Sequence, residues 1–194
     1  MSHQYRVRNN EQIHFITFTI VDWVDVFIRP VYKKIIVDSL LYCQVSKGVN
    51  LHAWCLMTNH LHLLVSIREP FYLPDFVRDF KKYTNKKIIN AIECENESRK
   101  DWMLYRFKFH AKFNPRIKDY KVWIDGYHAI ECSDNVILSQ KLDYIHENPV
   151  KSEVVSLPEE YLYSSARNYM DQKGLLEVIL LDDGFSTLVK SITM

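Results

Sequence analysis

The stretch that most constrains this chain is Met57-Thr58-Asn59-His60-Leu61-His62-Leu63-Leu64-Val65. Two histidines stand two residues apart with a leucine between them, and an apolar run follows. In a β-strand, residues i and i+2 share a face. His60 and His62 are therefore expected on one surface of a sheet, with Leu61 and Leu63 on the other. Two imidazoles so placed can hold one divalent cation. They can equally be ordinary polar residues of a sheet face. The preceding segment reads as a strand over 49–57, Thr58-Asn59 is a polar break of hairpin length, and a second strand is expected over 60–67.

The neighbouring patterns fix the surroundings of this hairpin. Ile13 to Val21 is β-branched and aromatic, as a central strand would be. Pro30 suits the first turn of a helix that runs to about Ser46, where Lys47-Gly48 stops it. A second helix is expected over about 74–93, with Leu73, Val77, Phe80, Thr84, Ile88 and Ala91 or Ile92 as its buried stripe. Tyr83 falls on the flank of that stripe. Trp102 to Asn114 is undecided between helix and strand, and Tyr120 to Cys132 reads as a strand with a break near Gly126. Ser133-Asp134 cap a helix to about His146 that Asn148-Pro149 ends. Pro158 to Tyr169 is expected to be a short helical region, and Leu175 to Leu181 a last strand. The order β-α-β-β-α-β predicts an α+β fold, a ferredoxin-like antiparallel sheet with two helices packed on one face. One domain is expected over 1–194, with 150–194 as a C-terminal extension.

Four glycines in 194 residues leave no glycine-rich phosphate loop. No apolar run approaches the roughly 18 residues of a membrane span. The first ten residues are polar, and the four cysteines show no CxxC pairing. A reduced, cytoplasmic protein with no membrane partner is expected. The formal net charge of +1 is uninformative, but its distribution is not. Residues 78–121 hold 13 basic against 6 acidic side chains, whereas residues 122–194 hold 5 against 12. Arg78, Lys81, Lys82, Lys86 and Lys87 crowd the second helix and make it the candidate polyanion surface. A solvated helix face would carry the same residues.

Four motifs in order carry a resemblance. They are the His60-Leu61-His62 pair, the tryptophan segment Val122-Trp123-Ile124-Asp125-Gly126-Tyr127-His128, the run Tyr144-Ile145-His146-Glu147-Asn148-Pro149-Val150, and the pair in Tyr163-Ser164-Ser165-Ala166. Together they resemble the single-tyrosine HUH transposases, the IS200-like and REP-associated family. Thr58 stands where that family usually has proline, and Ile124 where it usually has glutamine.

The resemblance implies a palm-like sheet and a single-stranded DNA transposase that cuts and rejoins through a 5′-phosphotyrosine link. Its metal would be Mg²⁺ or Mn²⁺ on His60 and His62. Its partner would be single-stranded or hairpin DNA, and it would work as a homodimer. Tyr83 is the first candidate nucleophile, with Tyr127 and Tyr144 as rivals and Tyr144 read as structural within its motif. Relatives add a polar metal ligand from the tyrosine helix. One turn after Tyr83 stands Lys87, so Asn90 or water would have to serve. A catalytically silent, DNA-binding relative of the same fold is the alternative, and a zinc hydrolase would lack the Asp-His continuation common at such sites.

Overall fold

The computed structural model describes residues 12–114 and 117–181. The first strand, β1, is His14–Thr19, and helix α1 is Pro30–Ser46. Strands β2 (Val49–Leu56) and β3 (His60–Ile67) form the expected hairpin, closed by Met57 N–H to the His60 carbonyl at 2.9 Å. Helices α2 (Leu73–Cys94) and α3 (Lys100–Ala111) follow, then the short strand β4 (Ile130–Glu131) and helix α4 (Asn135–Lys151). All pairings are antiparallel and the strand order is β2-β3-β1-β4. This is the α+β sheet that the strand pattern predicts.

Alternation along the strands divides the side chains between two cores. Ile16 and Phe18 of β1, Trp54 and Leu56 of β2, and Leu61, Leu63, Val65 and Ile67 of β3 join one core. Apolar residues of α1, α2 and α3 close it, among them Ile36, Leu40, Phe80, Ile88, Met103 and Phe107. Phe15, Ala53, Cys55 and Leu64 face the other way, onto Leu138, Leu142 and Ile145 of α4 and onto Tyr161. Burying a leucine or isoleucine in either layer is worth about 1.5–3 kcal/mol. The sheet is thus covered on both faces, where the sequence pattern had suggested helices on one.

Three local expectations are corrected, and one open segment is decided. Residues 120–132 break at Gly126 as expected, but the segment before the break is not a strand. Val122 accepts from Val21 just past β1, Ile124 donates to Thr19 at its end, Gly126 turns the chain at φ 70, and only Ile130–Glu131 return to pair with His14 and Phe15. The undecided segment after Asp101 is helix α3, whose Phe107 is buried. Helix α4 is capped as expected, Asp134 accepting from the Ile137 N–H at 2.8 Å. It does not stop at Asn148, however, but runs through Pro149, which forfeits one backbone bond two residues before the end. Finally, residues 175–181 form no strand. One backbone bond, Ile179 N–H to the Leu51 carbonyl, and the His52 ring at the Ile179 carbonyl tie them to the sheet. The tyrosine-rich segment instead lies along the β2 edge, through Leu56 N–H to Tyr163, Ser165 N–H to Trp54, and the Tyr161 hydroxyl to the Leu56 carbonyl.

Candidate active site

Period-two alternation puts His60 and His62 on the α4 face of the sheet, because Leu61 and Leu63 fill the core on the opposite face. Their ring centroids lie 4.6 Å apart. Each ring is held at Nδ1. Asn59 Oδ1 lies 2.7 Å from Nδ1 of His60, and Thr17 Oγ1, directly across the ladder on β1, lies 2.9 Å from Nδ1 of His62. When Nδ1–H donates to these oxygens, the lone pair of each neutral imidazole is left on Nε2. Burial lowers the pKa of both rings. The His62 pKa falls to about 3, chiefly through burial, with the charges of His60 and Lys141 adding to it. Both rings are therefore neutral at physiological pH, the form that ligates a metal.

Helix α4 supplies the opposite wall. Lys141, Tyr144 and Asn148 recur at three- and four-residue spacing and so share one face of the helix. The Tyr144 ring lies edge-on to His62, centroids 5.1 Å apart, and also meets Phe15 at 5.8 Å. Phe15 in turn stacks on His62 at 5.6 Å. Asn148 Nδ2 lies 3.4 Å from Nε2 of His62, and the same amide is hydrogen-bonded to His60. Lys141 Nζ sits 4.9 Å above the Phe15 ring, which puts a positive charge at the rim. Tyr144 remains 42% exposed, so its phenol is accessible from solvent.

These residues fit a hard divalent cation. Two neutral Nε2 atoms and one carboxamide converge, and turning the Asn148 amide by half a turn presents its oxygen in place of the nitrogen. Among the described residues no group of three or more His, Cys, Asp or Glu side chains could hold a metal. An ion here would complete its shell with water or phosphate oxygen.

The family model described as transposase IS200 like matches residues 9–113. The chain belongs to the IS200-like transposases. Membership carries a role in DNA transposition and makes the protein a DNA-processing enzyme by family. The match includes the histidine hairpin and stops short of α4. No protein of curated function matches. Among solved structures, a REP-associated tyrosine transposase bound to a REP hairpin shares the fold, with a TM-score of 0.62 at 14% identity over 94% of each chain. A candidate transposase from Deinococcus radiodurans aligns over 75% of this chain and 94% of its own at 20% identity, with a TM-score of 0.42.

The other residues singled out in this transposase lie elsewhere. Tyr83 does not approach the histidines. It stands on α2, behind the sheet, 54% exposed beside Lys87 and lining a groove of about 600 Å³ between α1 and α2. The expectation that α2 would carry a phenol to the histidine face is corrected, because α2 packs on the face that bears Leu61 and Leu63. Tyr127 also packs against that first core, and burial raises its pKa. Arg78 is engaged by Asp75 and Asp79. Lys81 donates to the carbonyls of Ile124 and Gly126 across the Phe18 ring, and burial pulls its pKa down to about 8. It ties α2 to the 124–126 loop. Lys82, Lys86 and Lys87 are exposed, on the side of the sheet away from His60 and His62. No described helix is long and apolar enough to cross a membrane.

Of the residues on this face, the sequence pattern had not assigned Thr17 or Asn59, had placed Asn148 only at the end of a helix, and had named Tyr144 only as a rival nucleophile. A signal for the last two was present. Tyr144 and Asn148 set a phenol and a neutral carboxamide four residues apart on one helix, the same spacing as Tyr83 and Lys87, where the second residue is instead an ammonium that cannot ligate a metal while charged.

Proposed function

We propose that this transposase cuts and rejoins single-stranded or hairpin DNA through a 5′-phosphotyrosine bond formed on Tyr144. The observation that carries the assignment is the Tyr144 ring against His62, with Asn148 of the same helix at His62 Nε2. His60, His62 and Asn148 would hold Mg²⁺ or Mn²⁺. When bound, that ion polarises the scissile phosphate and offsets charge on the departing oxygen.

The chain's own residues do the rest. Thr17 and Asn59 fix the imidazoles so that Nε2 faces the strand. Lys141 offers a cation to an adjacent phosphate. The Tyr144 oxygen, its proton released, attacks phosphorus. A P–O bond to tyrosine forms as the P–O3′ bond breaks, and the freed 3′ oxygen takes up a proton. Attack by a 3′ hydroxyl reverses the exchange and releases the phenol. Bond number is conserved, so rejoining needs no nucleotide cofactor.

The family resemblance supports a homodimer acting in the cytoplasm. Every group named above comes from one chain, so a second copy is not needed to complete the site. The test is a covalent-adduct gel with labelled single-stranded hairpins and Mn²⁺. An adduct is expected from the parent protein and from Tyr83→Phe, and none from Tyr144→Phe. DNA binding without any adduct from the parent protein would make this a silent, DNA-binding member of the family.

A further inference from the structure

Beside the histidines the chain makes a turn that the fold does not require in this form. Val21-Asp22-Trp23-Val24 is closed by Val24 N–H to the Val21 carbonyl at 3.3 Å. Both central residues are left-handed, each with φ 54. Asparagine and glycine suit such a turn, whereas a bulky aromatic there is a conformational outlier. The Trp23 indole gains little from packing, since it is 60% exposed. It does stand edge-on to His60, centroids 5.9 Å apart.

The turn is anchored on both sides. The Asp22 carboxylate pairs with Arg106 and lies 2.7 Å from His110 Nε2, both on α3. Asn59 Nδ2 reaches the Trp23 carbonyl at 3.4 Å and the Asp25 carboxylate at 2.8 Å, while Asn59 Oδ1 holds His60. One asparagine thus connects the turn to a candidate ligand. A strained backbone that projects a flat, wet aromatic face from a rigid mount has the form of a binding device rather than a packing element.

We propose that Trp23 is a stacking platform for an unpaired base of the DNA strand as it passes His60. The proposal rests on the reading of this face as the DNA-cutting site. Phosphates run past the two imidazoles and Lys141, and a neighbouring base lies flat on the indole. Stacking of this kind is tolerant of base identity, because every base has a π-face. Trp23 is then a binding residue that sets where the strand enters, while Tyr144 forms the covalent bond.

The test compares two labelled single strands of equal charge, an oligothymidylate of about 12 nucleotides and an abasic deoxyribose-phosphate strand of the same length. Affinities are read by fluorescence anisotropy for the parent protein, Trp23→Phe, Trp23→Ala and Trp23→Gly. The parent should prefer the thymidylate. Trp23→Ala should weaken thymidylate binding roughly ten-fold and leave abasic binding unchanged. Trp23→Phe should keep most of the preference. Trp23→Gly should lose it as alanine does while melting no lower than the parent, since glycine relaxes the turn. Unchanged preference in the alanine and glycine variants, or equal loss on both strands, overturns the proposal. Adduct gels on the same proteins separate the two readings. Preference lost in Trp23→Ala with no adduct from the parent would refute the cutting chemistry alone. A parent adduct with preference intact in Trp23→Ala would refute the platform alone.

Discussion

Asn148 and Tyr144 lie one helical turn apart on α4, and both reach the same imidazole, His62. Helical periodicity makes this coupling obligatory. Any rotation of α4 that improves the approach of the phenol also moves the amide, so the two cannot be tuned separately.

Asn148→Ala should therefore leave the phenol in place and remove one ligand. The metal concentration needed for half-maximal adduct formation should rise by roughly 10–100-fold, the range typical of lost metal-site partners. Asn148→Asp should restore much of it. A metal titration of adduct yield that is unchanged in Asn148→Ala would remove this residue from the site.

Thr17→Val keeps the shape of the β-branched side chain and deletes the oxygen at Nδ1 of His62. The ring loses its fixed tautomer, so metal affinity should fall by about ten-fold or more while the fold survives. His60→Ala and His62→Ala should abolish adduct formation outright. Isothermal titration with Mn²⁺ and adduct gels measure the two effects.

Replacing Lys82, Lys86 and Lys87 together by glutamine should scarcely change adduct formation on a short strand, because these lysines stand behind the sheet. Lys141→Gln should lower the slope of log affinity against log salt by about 0.7, one phosphate contact on a single strand. A reversed pattern would place the DNA on α2.

Stability should fall as acid is added. Burial lowers the pKa of His62 and of His146 to about 3 each, below the ordinary value of 6.5. Between those values the unfolded chain binds protons that the folded chain does not, so unfolding takes up protons and stability rises with pH. The contribution is complete above about pH 6.5 and is lost progressively as pH falls toward 3. Each histidine adds a slope of up to about 1.4 kcal/mol per pH unit in that window. His146, whose Nε2 lies 2.8 Å from Ser165 Oγ and whose ring meets Tyr169, is the better probe because its ring makes those contacts and is not itself a proposed ligand. His146→Gln should flatten the melting temperature between about pH 5 and 6.5 relative to the parent. Equal slopes in the two proteins would contradict it.

Dimer formation, which the family resemblance implies, should appear in light scattering at micromolar concentration. A monomer that still forms adducts would show that one chain suffices.

The histidine face was legible because strand periodicity admits only two answers and the apolar partners Leu61 and Leu63 choose between them. The hairpin, α1, α2 and the Asp134 cap were legible from glycine, proline and capping chemistry. The layer assignment was not. A helix with an apolar stripe declares that it packs, but not on which side of a sheet. Lys81 shows the matching limit of charge counting. Its ammonium bonds to the loop at Ile124 and Gly126, a use that sequence distribution cannot distinguish from a phosphate contact.

Strand β3 lies inside the sheet, laddered to β1 on one side and β2 on the other. Its amides should be among the slowest in the molecule to exchange with deuterium, opening only when the whole domain unfolds. Helix α4 has no such double bracing and should exchange through smaller, local openings. The two imidazoles thus belong to the most persistent unit of the fold and the phenol to a more labile one. A local opening of α4 would carry Tyr144 away from the histidines without changing their register.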